Sequence, residues 1–120
     1  MLEILEPLTA DDIVAVSVSG KLTHQDYASL LPRLESVIEE RGSVCCLVEL
    51  TGMESVELRA IWDDLRFDLK HGSQVRRCAL LAERRWQRWL ARSTRLIFRN
   101  AEIRIFGPQE LDRAAAWIRS

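Results

Sequence analysis

No apolar run in this chain approaches the ~20 residues that a membrane span requires, and no signal-peptide pattern follows Met1. The expected setting is therefore cytoplasmic, with attachment to a membrane only at its periphery. Cysteine is scarce too: Cys45, Cys46 and Cys78 are the only three. The first two are adjacent, so their side chains leave opposite faces of any strand. An odd count without C-x-x-C spacing argues against a disulfide framework or a zinc site, and leaves the thiols as small buried hydrophobes. Histidine is limited to His24 and His71, and neither stands in a Ser/His/Asp or Cys/His pattern. No G-x-G-x-x-G or P-loop spacing occurs. These absences predict no catalytic residue, no cofactor and no enzyme. Linkers, repeats and low-complexity stretches are also missing, so residues 1–120 read as one domain.

What is present is the mixture of a globular protein, with 48% apolar and 29% charged residues. A net charge of −1 conceals an asymmetry. Residues 1–73 carry 14 acids against 6 bases, whereas residues 74–105 carry 9 arginines against 2 glutamates. Such a split suits an anionic partner for one face, or contact between copies.

Local patterns predict the elements. Leu2–Leu5 and the β-branched Ile13–Val18 read as a hairpin-like pair of strands, the second ended by Gly20. Thr23 and Asp26 stand at capping-box spacing before a stripe of Tyr27, Leu30, Leu31, Leu34, Val37 and Ile38. Gly42 stops that helix, and Pro32 inside it should kink it. The continuous apolar run 44–50 reads as a strand covered on both faces. Leu58, Ile61, Trp62, Leu65 and Leu69 then mark an amphipathic helix with that stripe as its core side. A strand over 75–82, a helix over 84–99, a strand over 102–107 and a terminal helix begun by Pro108 complete the order β-β-α-β-α-β-α-β-α. Alternation of this kind implies a mostly parallel sheet with right-handed crossovers.

That order, with GKLTHQDY (20–27), IWDDLRFDLKHG (61–72) and the W-x-x-W pair Trp86 and Trp89, resembles the SpoIIAA-like family of small bacterial proteins. These are related in fold to the STAS domain of anti-sigma-factor antagonists. The resemblance implies an α/β fold: a mixed sheet of about five strands with about four helices, mainly on one side. It also implies a ligand or partner role, with membrane association and apolar-ligand binding proposed for the family, rather than a reaction. In true antagonists an Asp-Ser-Ser-Gly-type stretch carries a phosphorylated serine. Its place here holds Glu57, Leu58, Arg59 and Ala60, without a hydroxyl, and Ser55 is out of register. No phospho-serine switch is expected.

Three constellations could carry function. On a wheel of about 100° per residue, Arg84, Arg85, Arg88, Arg92, Arg95 and Arg99 fill one arc of about 100°. Trp86, Trp89, Leu90, Leu96 and Ile97 share the adjoining apolar arc. The bland expectation is a docked surface helix with solvated or paired arginines. The sharper one places an amphiphilic ligand or an anionic membrane surface against it. Trp62, Trp86 and Trp89 would then line the apolar part, and Arg84, Arg85, Arg88 and Arg92 would meet the headgroup. Nucleic acid is disfavoured by a pI of about 6.1 and the lack of a base-reading motif.

The second constellation is the face opposite the 58–69 stripe: Asp63, Asp64, Phe67, Lys70 and His71. It would meet a protein partner or a second copy, the alternative function being an interaction or regulatory module. Asp64, Asp68 and His71 have metal-compatible i, i+4, i+7 spacing. One exposed helix side lacks the enclosing shell a metal needs, so none is expected. The third lies at the carboxyl ends of the strands, where Lys21, Thr51, Gly52 and Arg84 would suit a small anion or the head of an acyl ligand.

Overall fold

The structure, a computed structural model, describes residues 1–98 and 100–120, without the side chains of residues 64, 65, 68, 69, 71 and 97. Five strands, β1 (Leu2–Ile4), β2 (Ile13–Leu22), β3 (Val44–Val56), β4 (Val75–Leu81) and β5 (Glu102–Phe106), form one sheet in the order β1-β2-β3-β4-β5. β1 runs antiparallel to β2, and every other pair is parallel. The helices are α1 (His24–Arg41), α2 (Leu58–His71), α3 (Arg85–Ile97) and α4 (Leu111–Arg119).

Alternation along each strand divides the core in two. Ile13, Ala15, Cys45, Leu47, Ala79, Leu81 and Phe106 point to one face, where Ala114, Ala115 and Ile118 of α4 cover them. Val14, Val16, Val18, Cys46, Val48, Cys78 and Leu80 point to the other, beneath α1, α2 and α3. This second face carries the cavity described below.

The expected order of elements holds. β2 continues past Gly20 rather than ending there. Its pairing with β3 shifts register between Gly20 and Lys21, and Gly20 sits at φ +61°, which a residue with a Cβ would adopt only under strain. β3 likewise runs six residues beyond Leu50, because the bulged β2 keeps pairing with it as far as Leu22↔Val56. α4 begins at Leu111 rather than at Pro108. The Glu110 carboxylate accepts the Gly107 N–H (2.7 Å), which closes a turn where the first helical turn was expected.

α1 forms as its local signals predict. The Thr23 hydroxyl accepts the Asp26 N–H (3.2 Å) and the Asp26 carboxylate accepts the Thr23 N–H (3.1 Å), a complete capping box. Burial pushes the Asp26 carboxyl up, but the Thr23 N–H and hydroxyl, together with the Met1 ammonium, hold it below the usual carboxylate range. Gly42 closes the helix in the left-handed region at φ +82°. Tyr27, Leu30, Leu34 and Ile38 are buried, so the stripe of α1 faces the sheet.

A candidate apolar cavity beneath two amphipathic helices

α2 lies the other way round from its sequence pattern. Phe67 is only 5% exposed and packs with Tyr27, Leu30 and Leu34, and Asp63 is also buried. Leu58 is 76% exposed and Trp62 62%. Phe67 and Asp63 are thus not an outward partner face. Two contacts at the start of the helix set its rotation. Its flanking residue Glu57 donates its N–H to Leu22 O (2.8 Å) and accepts the His24 N–H on its carboxylate (3.3 Å). One turn on, the Asp63 carboxylate hydrogen-bonds Nδ1 of His24. A buried carboxylate needs such a partner, and the tie turns the Asp63–Phe67 side inward. His24, which reads as a surface residue in the sequence, is the anchor between α1 and α2. The remaining members of that face are Lys70, exposed and 3.9 Å from Glu35, and Asp64 and His71, whose side chains lie outside the described residues.

α3 is rotated as well. It meets the core through Gln87 and Ala91, with Trp86 and Leu90 packed beside them and Phe98 buried just past its end, while Trp89 is 67% and Leu96 75% exposed. Gln87, fully buried, explains the docking. Its amide oxygen accepts the N–H groups of Glu83 (3.0 Å) and Arg84 (3.1 Å), and its amide nitrogen donates to Met53 O (2.8 Å) and Thr51 O (3.4 Å). One side chain therefore caps the helix start and fastens it to β3. No sequence signal marked it beyond a polar residue between two tryptophans on a helix.

The same contact occupies the strand-end crevice. The backbone groups of Thr51, Glu83 and Arg84 are engaged by Gln87, and the Thr51 hydroxyl donates to Glu49 (3.0 Å). A Cβ on Gly52 would stand 3.2 Å from Val18 O, so this glycine serves close strand approach. Lys21 is exposed beside it.

Leu58 and Trp62 of α2 and Trp89 and Leu96 of α3 are largely exposed rather than packed on the sheet, and space remains beneath the two helices. A cavity of about 320 Å³ lies between the sheet and α1–α3. Its floor comes from Val16, Val18, Cys46, Val48, Leu50, Cys78 and Leu80. Tyr27, Leu30 and Leu34 wall it from α1, Ala60, Ile61 and Phe67 from α2, and Trp89, Leu90, Ala91 and Phe98 from α3. Ile61 and Trp89 both line it and reach solvent, which puts its mouth between α2 and α3. Of the three tryptophans expected to line an apolar site, only Trp89 does. Trp86 packs against the core beneath α3, and Trp62 stands outside on α2.

Arg84, Arg85, Arg88, Arg92 and Arg95 are all exposed. Elsewhere arginines find carboxylates: Arg33 with Glu6, Arg41 with Asp11, Arg76 with Asp12 and Arg77 with Glu102. Among the described residues no carboxylate pairs with these five, Arg84 at the N-cap of α3 and the other four along it. Their charge is thus available to an anion. Among the described residues no cluster of His, Cys, Asp and Glu could hold a metal, and no helix is long and apolar enough to cross a membrane.

The fold is that of known proteins. A solved structure of an uncharacterized protein from the DUF3478 family with a SpoIIAA-like fold, from Shewanella loihica PV-4, superposes with a TM-score of 0.75 at 30% identity, covering 98% of this chain and 92% of that one. The anti-sigma factor antagonist SpoIIAA in its unphosphorylated form superposes with a TM-score of 0.66 at 12% identity, covering 100% and 99%, a likeness of fold alone. A search of curated proteins finds no match. The family and fold support a regulatory or interaction module. The SpoIIAA-like family model matches residues 13–119, and with its five-stranded mixed sheet and four helices this chain belongs to the SpoIIAA-like family.

Proposed function

We propose that this chain is a non-enzymatic module that takes an apolar or amphiphilic molecule into the cavity beneath α2 and α3. The carrying observation is the cavity itself, about 320 Å³ lined almost wholly by aliphatic, aromatic and thiol side chains. That volume lies within the range of small-molecule sites, roughly 300–1,000 Å³. The exposed Leu58, Trp62, Trp89 and Leu96 around and beyond the mouth supply apolar surface, and the arginines of α3 supply the charge for an anionic headgroup. The ligand's tail would enter between Ile61 and Trp89 while Arg85, Arg88 and Arg92 held its head. Delivery from an anionic membrane surface fits the same arrangement, with the exposed side of α2 and α3 set against the headgroups.

Native mass spectrometry of the purified protein, followed by titration of the delipidated chain with a fluorescent fatty acid, tests this reading. A co-purifying amphiphile or saturable uptake of one fatty acid per chain is expected. Bare protein with no saturable uptake overturns it. Co-sedimentation with vesicles containing anionic lipid, weakened by salt and by Arg88→Glu/Arg92→Glu, addresses the membrane part separately.

A second reading follows from the fold. An interaction module would use Leu58 and Trp62, exposed on α2, as its anchors. Light scattering of the wild type and of Trp62→Glu discriminates self-association from a monomer.

A further inference from the structure

Cys46 and Cys78 occupy adjacent parallel strands in direct register, Cys46↔Cys78, in a row that also holds Val14 and Ile103. Both line the cavity and both are reduced thiols. Partnered residues of neighbouring strands stand about 4.7–4.9 Å apart, and their side chains leave the same face side by side. Two sulfurs are thus brought together on an apolar floor from positions 32 residues apart in sequence. Cys45 points to the opposite face, where its Sγ meets the Asp12 carboxylate (3.7 Å).

We propose that Cys46 and Cys78 form a dithiol site on the cavity floor that captures a trivalent, thiophilic metalloid centre bearing one apolar group. Three features point to this chemistry. Paired thiolates favour soft, thiophilic centres over hard ones. Cα atoms about 4.7–4.9 Å apart on neighbouring strands put the two sulfurs within reach of a single bridging atom. The third substituent of the trivalent centre is apolar, and the cavity above the floor is lined to receive it. With an aryl arsenical the step is a condensation without redox change. With phenylarsine oxide both bonds of As=O break, two arsenic–sulfur bonds form, and the single oxygen leaves with the two thiol protons as one water.

The inference rests on the reading that the cavity admits small apolar molecules, so the experiment carries two probes. The intact protein is titrated with phenylarsine oxide and, separately, with a fluorescent fatty acid. Wild type should take up one phenylarsenic group per chain by mass. Cys46→Ala and Cys78→Ala should each weaken capture by about a hundredfold or more, the loss expected when the second attachment is no longer intramolecular. Both variants should keep the wild-type circular dichroism spectrum and a cooperative urea transition, which shows that they fold, and Cys45→Ala should behave as wild type. Fatty-acid uptake without a phenylarsenic adduct overturns the dithiol site and leaves the cavity reading standing. An adduct that survives Cys78→Ala but is lost in Cys45→Ala places the arsenic on the sequence-adjacent pair of an opened chain and also overturns it. Failure of both probes removes the two readings together.

Discussion

α1 and α2 cover the same face of one sheet, and both have an apolar stripe at helical spacing, yet they use it in opposite ways. α1 buries its stripe and is capped at both ends by its own sequence. α2 keeps Leu58 and Trp62 in solvent and buries Asp63 and Phe67 instead. The difference teaches that amphipathic spacing tells which residues share a side, and says nothing about which side meets the sheet. In α1 the stripe, the capping box and Gly42 agree with docking, and the helix runs on through Pro32. In α2 a tie to His24, 39 positions away, decides the rotation against the stripe. A helix held in this way leaves Leu58 and Trp62 for something other than its own core.

Substitution can break the comparison most sharply on the α1 side. Ile38→Ala, in a side chain 6% exposed within the core cluster, should cost about 2–5 kcal/mol in urea unfolding. A loss near zero would mean that α1 is no better seated than α2. Next comes the tie itself. Asp63→Ala removes the buried partner of His24, and a loss of about 1–2 kcal/mol is expected, the figure being moderated because the imidazole is about one-third exposed. Faster hydrogen exchange confined to α2 should accompany it, whereas uniform exchange would show that the tie does not position this helix. The smallest effect belongs to Leu58→Ala, which should change stability by no more than about 0.5 kcal/mol, because the side chain is 76% exposed. A cost comparable to that of Ile38→Ala would place the stripe of α2 in a core after all.

Much of this fold was legible because its signals are local. β-branched runs, the Thr23/Asp26 box and Gly42 each specify conformation within a few residues, so the element order and α1 follow from them directly. The ends of β2 and β3 did not, because the bulge after Gly20 restores a pairing that a glycine normally terminates. The cavity was half legible. The arginine arc and the apolar arc of α3 can be drawn from spacing alone, and one residue of the apolar arc, Trp89, lines the cavity. The rotation of α3 was hidden because it depends on Gln87 reaching Thr51 and Met53, 36 and 34 residues earlier. Cys46 and Cys78 read as separate buried thiols until strand register set them side by side.

Position 87 also sets a chemical requirement that size alone would miss. The buried side chain must accept from two N–H groups with one end and donate to two carbonyl groups with the other, and among side chains of that length only an amide does both. Glutamate has nearly the same shape, yet an ionised carboxylate would turn its second oxygen toward Thr51 O and Met53 O and replace attraction with repulsion. Loss of one amide nitrogen, as by hydrolytic deamidation, would therefore unfasten the arginine helix from the sheet without removing a single carbon atom from the chain.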